Sequence, residues 1–259
     1  MAEYLGCPSS LAVCGGSAGA SVIADLSTDW SNANNPNNGN PNGTWEYRQG
    51  TIDLPLVANW NAAGTAGFTQ PAWAPSNTAG NFLPAEFQAG SAASAVFGAD
   101  PNNPGHNNVL PGDVVMHTVD PFNGNPSLGL GNYLFTSKVA AGPVTISGIV
   151  WDAGLFFGTS RPQDWALLLN GAVIDSGNLS GTVSRSQAQT FDLNETLGIG
   201  DRVELELFEA PNAAAGFFVG AELTIATSSA AVPEPSSLAL LGMALLGLGT
   251  APRRKSRPS

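Results

Sequence analysis

The chain has 259 residues, a net charge of −11 and only 11% charged residues, with 31 Gly and 19 Pro. From Asp25 to Ala231, 18 acidic residues stand against 5 basic ones, about −13, so the body as a whole repels nucleic acid and anionic membranes. Both cysteines, Cys7 and Cys14, lie in the first 14 residues, which excludes a disulfide framework or a cysteine zinc site in the body. The abundance of Gly and Pro disfavours long helices, and the many short Val/Ile/Leu/Phe runs favour an all-β fold rich in loops.

The first segment, residues 1–24, reads as a signal peptide or its remnant. Ser10–Ala24 (SLAVCGGSAGASVIA) is small and apolar, and Ala18-Gly19-Ala20 fits an A-x-A cleavage site. The preceding MAEYLGCPSS has no Lys or Arg, a poor flank for such a signal. Gly15-Gly16-Ser17-Ala18-Gly19 satisfies G-x-S-x-G, but a nucleophile elbow needs a preceding strand and a parallel sheet. Neither precedes Ser17, so no catalytic role is expected of it.

The body is expected over residues 25–231, with a loop-rich first half. Asn32–Gly43 (NANNPNNGNPNG) is a polar, low-complexity loop. Thr44–Arg48 (TWEYR) alternates as a strand does, and Ala62–Asn108 reads as long loops with short strands or turns. The second half is a series of strands: Asp113–Val119, Tyr133–Val139, Val144–Trp151, Trp165–Leu169, Ala172–Ser176, Ala188–Leu193, Arg202–Phe208 and Phe217–Ala226. Asn170-Gly171 marks a two-residue hairpin, and Leu193–Asp201 a connection turned by Gly198 and Gly200. The spacing predicts an antiparallel two-sheet sandwich. Its inner faces would hold Val144, Ile146, Ile149, Leu167, Leu169, Phe191, Val203, Leu205, Leu207 and Leu223.

The order from "LPGDVVMHTV" to "GAELTIA", residues 110–226, resembles the jelly-roll sandwiches of exported bacterial proteins and is similar to galactose-binding-like carbohydrate modules. The resemblance implies the fold, and more weakly sugar binding. A sugar site needs an aromatic platform beside polar groups. Trp151-Asp152 at a strand end and Asp164-Trp165 at a strand start are the candidate pairs, against the reading that each Trp fills the core. His106 falls in a polar loop and His117 in a strand, and neither has a catalytic setting. A glycosidase needs two facing carboxylates about 5 to 9.5 Å apart, and nothing in the sequence selects such a pair. The acidic balance fits structural calcium, although no D-x-D-x-D-G loop is present. No other cofactor is expected.

The last segment, residues 232–259, has three parts in order. Val232-Pro233-Glu234-Pro235 comes first, the charge-free Leu238–Leu248 (LALLGMALLGL) follows, and Arg253, Arg254, Lys255 and Arg257 close it. Ser236–Pro252 would span about 25 Å as a helix, at the short end for a bilayer core of about 30 Å, and the basic cluster would stay in the cytoplasm. This sequence of motif, short hydrophobic helix and basic end resembles the PEP-CTERM sorting signal. The resemblance implies an exosortase, a membrane-embedded processing enzyme, as partner and an inner-membrane-anchored precursor released or transferred to the cell exterior. A permanent anchor is the alternative for the tail. The expectation is an exported surface or matrix protein without catalytic activity, placed near extracellular polysaccharide and binding it or serving structurally. A glycan-active hydrolase is the alternative.

Overall fold

The computed structural model describes residues 20–33, 43–61, 69–75, 84–100, 102–103, 105–118, 130–140, 142–154, 161–180, 183–211 and 216–228. The strands run β1 (Val22–Asp25), β2 (Trp45–Gln49), β3 (Ile52–Asp53), β4 (Leu56–Asn61), β5 (Thr69–Trp73), β6 (Ala85–Gln88), β7 (Val114–His117), β8 (Gly131–Thr136), β9 (Gly142–Asp152), β10 (Gln163–Leu169), β11 (Ala172–Leu179), β12 (Gln189–Leu197), β13 (Arg202–Glu209) and β14 (Phe218–Thr227). One helix, α1 (Ser91–Phe97), lies between β6 and β7.

These strands pair into two antiparallel sheets. The first runs β12-β9-β14-β7-β6-β5-β4, with β1 also paired to β14, and the second runs β11-β10-β13-β8-β2-β3. The sequence expectation of an all-β sandwich therefore holds. Asn170 (φ +53°) and Gly171 (φ +80°) both take left-handed backbone and close the β10–β11 hairpin, as a two-residue turn requires. Strand β12 extends beyond the expected Leu193 to Leu197, because Asn194, Glu195 and Thr196 keep alternating and pair with Thr145, Val144 and Pro143.

Inward-facing side chains from both sheets fill one core, including Trp45, Tyr47, Met116, Tyr133, Ile146, Leu167, Leu205 and Leu223. Nine of the ten expected inner-face residues bury or pack there. Ile149 does not. Val144, Ile146 and Val150 set the inward phase of β9, so Ile149 points to the opposite face and is half-buried. Strand β1 takes in Val22–Ala24, the end of the segment assigned to the leader. Ala24 is buried, and β1 pairs with β14.

A second apolar cluster covers the other face of the first sheet. Trp60, Phe87, Val115 and Phe218 pack there beneath Ala93 and Phe97 of α1. Sequence reasoning placed loops here. The residue spacing holds the missed signal, since Ala93 and Phe97 stand four apart on one helix face. The expected loop at Asn32–Gly43 is described only at its ends. Residues 1–19 of the leader and the whole tail, with its hydrophobic segment, lie outside the described residues. No described helix is long and apolar enough to cross a membrane.

Glu86 is fully buried in the inter-sheet core. It pairs with Met116 across β6–β7 and faces inward with it. Neither carboxylate oxygen has a partner at full hydrogen-bond geometry. Burial pushes the carboxyl well above the usual range, against the smaller opposing pull of the Arg48 and Asn132 backbone amides. The folded state therefore holds this proton more tightly than the unfolded chain. Its contribution to stability is full below the unfolded value and is lost as pH rises through the folded one. Glu86→Gln should match the parent near pH 4. Above that it should gain on the parent by at most ~1.4 kcal/mol per pH unit, the limit for one proton. Denaturant midpoints from pH 4 to pH 8 check this, and parallel curves for the two proteins would rule it out.

Candidate ligand cleft

Strand β14 supplies the floor of the site. Gly220 lies against Trp151 of β9, and a Cβ there would stand 2.2 Å from the ring. The absence of a side chain lets the indole lie across the neighbouring strand. Trp151 is fully buried, and its Nε1 donates to the Asn108 carbonyl at 2.8 Å. Arg185, opening a 3-10 turn over Arg185–Gln187, covers the indole with its guanidinium 5.0 Å from the ring centroid.

Two carboxylates hold Arg185 in place. Its Nε donates to Asp113 Oδ2 at 3.0 Å and its Nη2 to Asp113 Oδ1 at 2.9 Å, and Nη2 also donates to Glu222 Oε1. The fork on Asp113 is bidentate, which fixes the plane of the guanidinium. Burial raises the Glu222 carboxyl, and Arg185 offsets part of that rise. Asn108 ties the same region to the strand ends. Its Oδ1 accepts from Arg185 N at 2.9 Å, and its Nδ2 donates to the carbonyls of Asp152 and Ala153. Above this floor is an open cleft of about 330 Å³ lined by Gly105, His106, Asn107, Leu110, Arg185 and Ser186. Ser186 Oγ donates to Asp100 Oδ2 at 2.7 Å, and Asp100 also accepts from the amides of Asn102 and Asn103. Burial of Asp100 is outweighed by these bonds, so its carboxyl sits below its ordinary value.

The four residues singled out as a sugar platform do not converge. Trp151 lies under Arg185 on the outer face of the first sheet, with no ring face open. Asp152 is buried beside it. Its Oδ2 accepts from Val183 N at 3.2 Å, its Oδ1 has no partner, and burial pushes it up to about 7. Trp165 faces the inter-sheet core, tilted against Phe191, with its Nε1 donating to Gln189 Oε1 at 2.8 Å. Asp164 points the other way from β10, where Asn178 Nδ2 donates to its Oδ1. Alternation along a strand sends neighbours to opposite faces, so a Trp-Asp dipeptide on a strand cannot present both groups to one ligand. Of the six tryptophans, Trp45, Trp60, Trp73, Trp151 and Trp165 are buried, while Trp30 is half-buried against Tyr47.

His106 is exposed in the cleft, and His117 is buried in β7 with its ring edge-on to Phe218, 4.8 Å between centroids. Sequence reasoning missed Arg185 because a lone Arg in SRSQ carries no motif. Its partners come from positions 72 and 37 residues away. Among the described residues, no three His, Cys, Asp or Glu side chains group so as to hold a metal ion.

Comparison with known proteins bears mainly on the tail. No curated protein matches the chain. Similar solved structures include a CBM51-containing region of ZmpB from Clostridium perfringens bound to GlcNAc (8% identity, 46% of this chain and 22% of that one, TM-score 0.31). They also include a family 35 carbohydrate binding module from Clostridium thermocellum (11%, 71% and 98%, TM-score 0.28). A third is a cyclase from Fischerella sp. TAU (13%, 57% and 75%, TM-score 0.33). At these scores the likeness carries no argument about function, and the chain spans less than a quarter of the Clostridium perfringens structure. Residues 231–255 match the PEP-CTERM protein-sorting motif, the segment containing Val232-Pro233-Glu234-Pro235 and the basic residues Arg253, Arg254 and Lys255.

Proposed function

We propose that the chain is an exported, non-catalytic surface protein that binds carbohydrate in the cleft above Trp151. The PEP-CTERM match supports export from a membrane-anchored precursor, with an exosortase as the processing partner. The lining of the cleft carries the binding half of the reading. His106, Asn107, Arg185 and Ser186 offer donors and acceptors suited to hydroxyl groups, and none of the described residues that line the cleft is a carboxylic acid. The nearby acids Asp113 and Glu222 are both engaged with Arg185, which ties them up as candidates to protonate a leaving group or activate water. Structural calcium remains a separate proposal of composition alone.

Two measurements test the two halves. For binding, the intact protein is tested by polysaccharide pull-down and then by titration of whichever polymer retains it. The His106→Ala/Asn107→Ala variant changes only exposed loop side chains and should fold as the parent does. It should weaken binding by about tenfold or more, roughly 1.4 kcal/mol. Unchanged affinity would remove the cleft from consideration. Arg185→Ala should lose binding and stability together, since Asp113 would be left buried without its cation.

For export, the mass of the protein recovered outside the cell is compared with that of the full chain. The reading expects a loss that includes Arg253–Arg257. An exported species that retains those residues would instead favour a permanent anchor.

A further inference from the structure

Arg185 is the one Lys or Arg that lines the cleft, and the way it is held decides which charge can enter. A guanidinium carries five N–H donors. Three of those on Arg185 are engaged. Nε donates to Asp113 Oδ2 at 3.0 Å, and Nη2 donates both to Asp113 Oδ1 at 2.9 Å and to Glu222 Oε1. Asp113 therefore closes the Nε–Nη2 fork, and Glu222 occupies half of the Nη1–Nη2 fork. Among the described residues, only the two Nη1 donors of Arg185 have no partner. A carboxylate or sulfate on a ligand meets no complete fork here, whereas a single hydroxyl, ether or carbonyl oxygen can accept from Nη1.

Three carboxylates stand directly behind the lining. Asp113 and Glu222 touch Arg185, and Asp100 accepts from Ser186 Oγ at 2.7 Å. The Asp113 side chain is only 8% exposed, so water screens its charge poorly. Burial of Asp100 is outweighed by its bonds from Ser186 Oγ, Asn102 N and Asn103 N, which hold its carboxyl below the ordinary value and keep it ionised. Glu222, with its side chain 40% exposed, is screened more than Asp113. Three carboxylates against one guanidinium make the surroundings of the cleft negative. Leu110, 38% exposed, adds an apolar contact beside the donors, of the kind that the C–H face of a sugar ring packs against.

We infer that the cleft takes uncharged glycan and turns away acidic polymers, such as chains of uronic acid or sulfated sugar. The inference rests on the carbohydrate reading above and adds the charge class of the ligand. An acidic group brought to Nη1 would gain single bonds from a guanidinium that is already neutralised, and would stand close to three fixed carboxylates. A neutral sugar accepts the same bonds without that repulsion. The preference is set in the wall of the cleft, by Asp113, Glu222 and Asp100, and not by the groups that touch the ligand.

The net negative body opposes polyanions everywhere, so the charge of the cleft is read locally. Asn107→Cys in the full chain, in a Cys7→Ser/Cys14→Ser background, is alkylated in parallel by neutral iodoacetamide and by anionic iodoacetate. Thr51→Cys, in the exposed β2–β3 turn, is the control. Both reagents attack the same thiolate, so the ratio of their rates cancels the reactivity of the thiol and reports the local potential. The ratio should favour iodoacetamide several-fold more at 107 than at 51. Glu222→Gln, which removes one wall charge at a part-exposed position, should narrow the gap. Equal ratios at the two positions overturn the inference and leave the carbohydrate reading standing.

Binding gives the second readout. The polymer retained in the pull-down is compared as its hydroxyethylated and carboxymethylated forms, which differ in charge at similar bulk. The carboxymethylated form should bind about tenfold or more weakly. If it binds as tightly, or if the cleft retains only acidic polymers, the inference is overturned and the carbohydrate reading stands. If no polymer is retained, or retention survives His106→Ala/Asn107→Ala, the carbohydrate reading of the cleft fails and takes the inference with it.

Discussion

Strand β14 bonds along both of its edges. On one side it runs beside β9 for nine paired positions, Val219 to Thr227. On the other it meets β7 over Phe218–Ala221 and β1 over Thr224–Ala226. This double pairing ties the last strand of the body to the first and puts Gly220 under Trp151. It also sets Glu222 where Arg185 can reach it and Asp113 together. The cleft and the chain exits are both consequences of where this strand lies. A change that weakened β14 would disturb each of them, whereas changes in β3 or β11 at the sheet edge would not.

The charged groups near the cleft show how burial decides their behaviour. Arg185 stacks on a hidden indole and is neutralised from two sides, so it acts as a strut as much as a ligand group. A guanidinium suits this place because it can stack and fork at once, which an ammonium cannot. Asp152, a few residues from the same floor, has no cation beside it. Burial outweighs the opposing bond from Val183 N, and Asp152 holds its proton up to about 7. Glu86 does the same deeper in the molecule. Two uncompensated buried acids within a body of 18 acidic residues mark places where the fold tolerates an ionisable group only in its neutral form.

The parts of this structure that could be read in advance were those governed by local rules. Alternation in VELEL, and the positive φ demanded by Asn170-Gly171, depend on nearest neighbours along the chain and came out as expected. The order of the tail is also a local pattern. Ile149 was misplaced because two adjacent apolar residues leave the phase of a strand undecided until its partner sheet is known. Helix α1 was missed because seven residues rich in Ser and Ala carry little propensity signal, and its stability comes from Phe97 packing on Phe218. The Trp-Asp pairs were chosen for chemistry that depends on which face a side chain takes, and strand alternation separated them. The Arg185 site was invisible, since its members are brought together only by the pairing of β7 with β14 and by the segment before β12.

The adjacency of Ser21 and Thr227 bears on how the body meets a pull. Tension drawn between residue 228 and the opposite end of the sandwich would act along the axis of β14. The ladders to β9 on one flank and to β1 and β7 on the other would then be strained in shear, sharing the load among many bonds at once instead of opening one after another. Traction from the C-terminal side meets the molecule along a strand bonded on both of its edges, and an edge strand such as β11 would peel under far less.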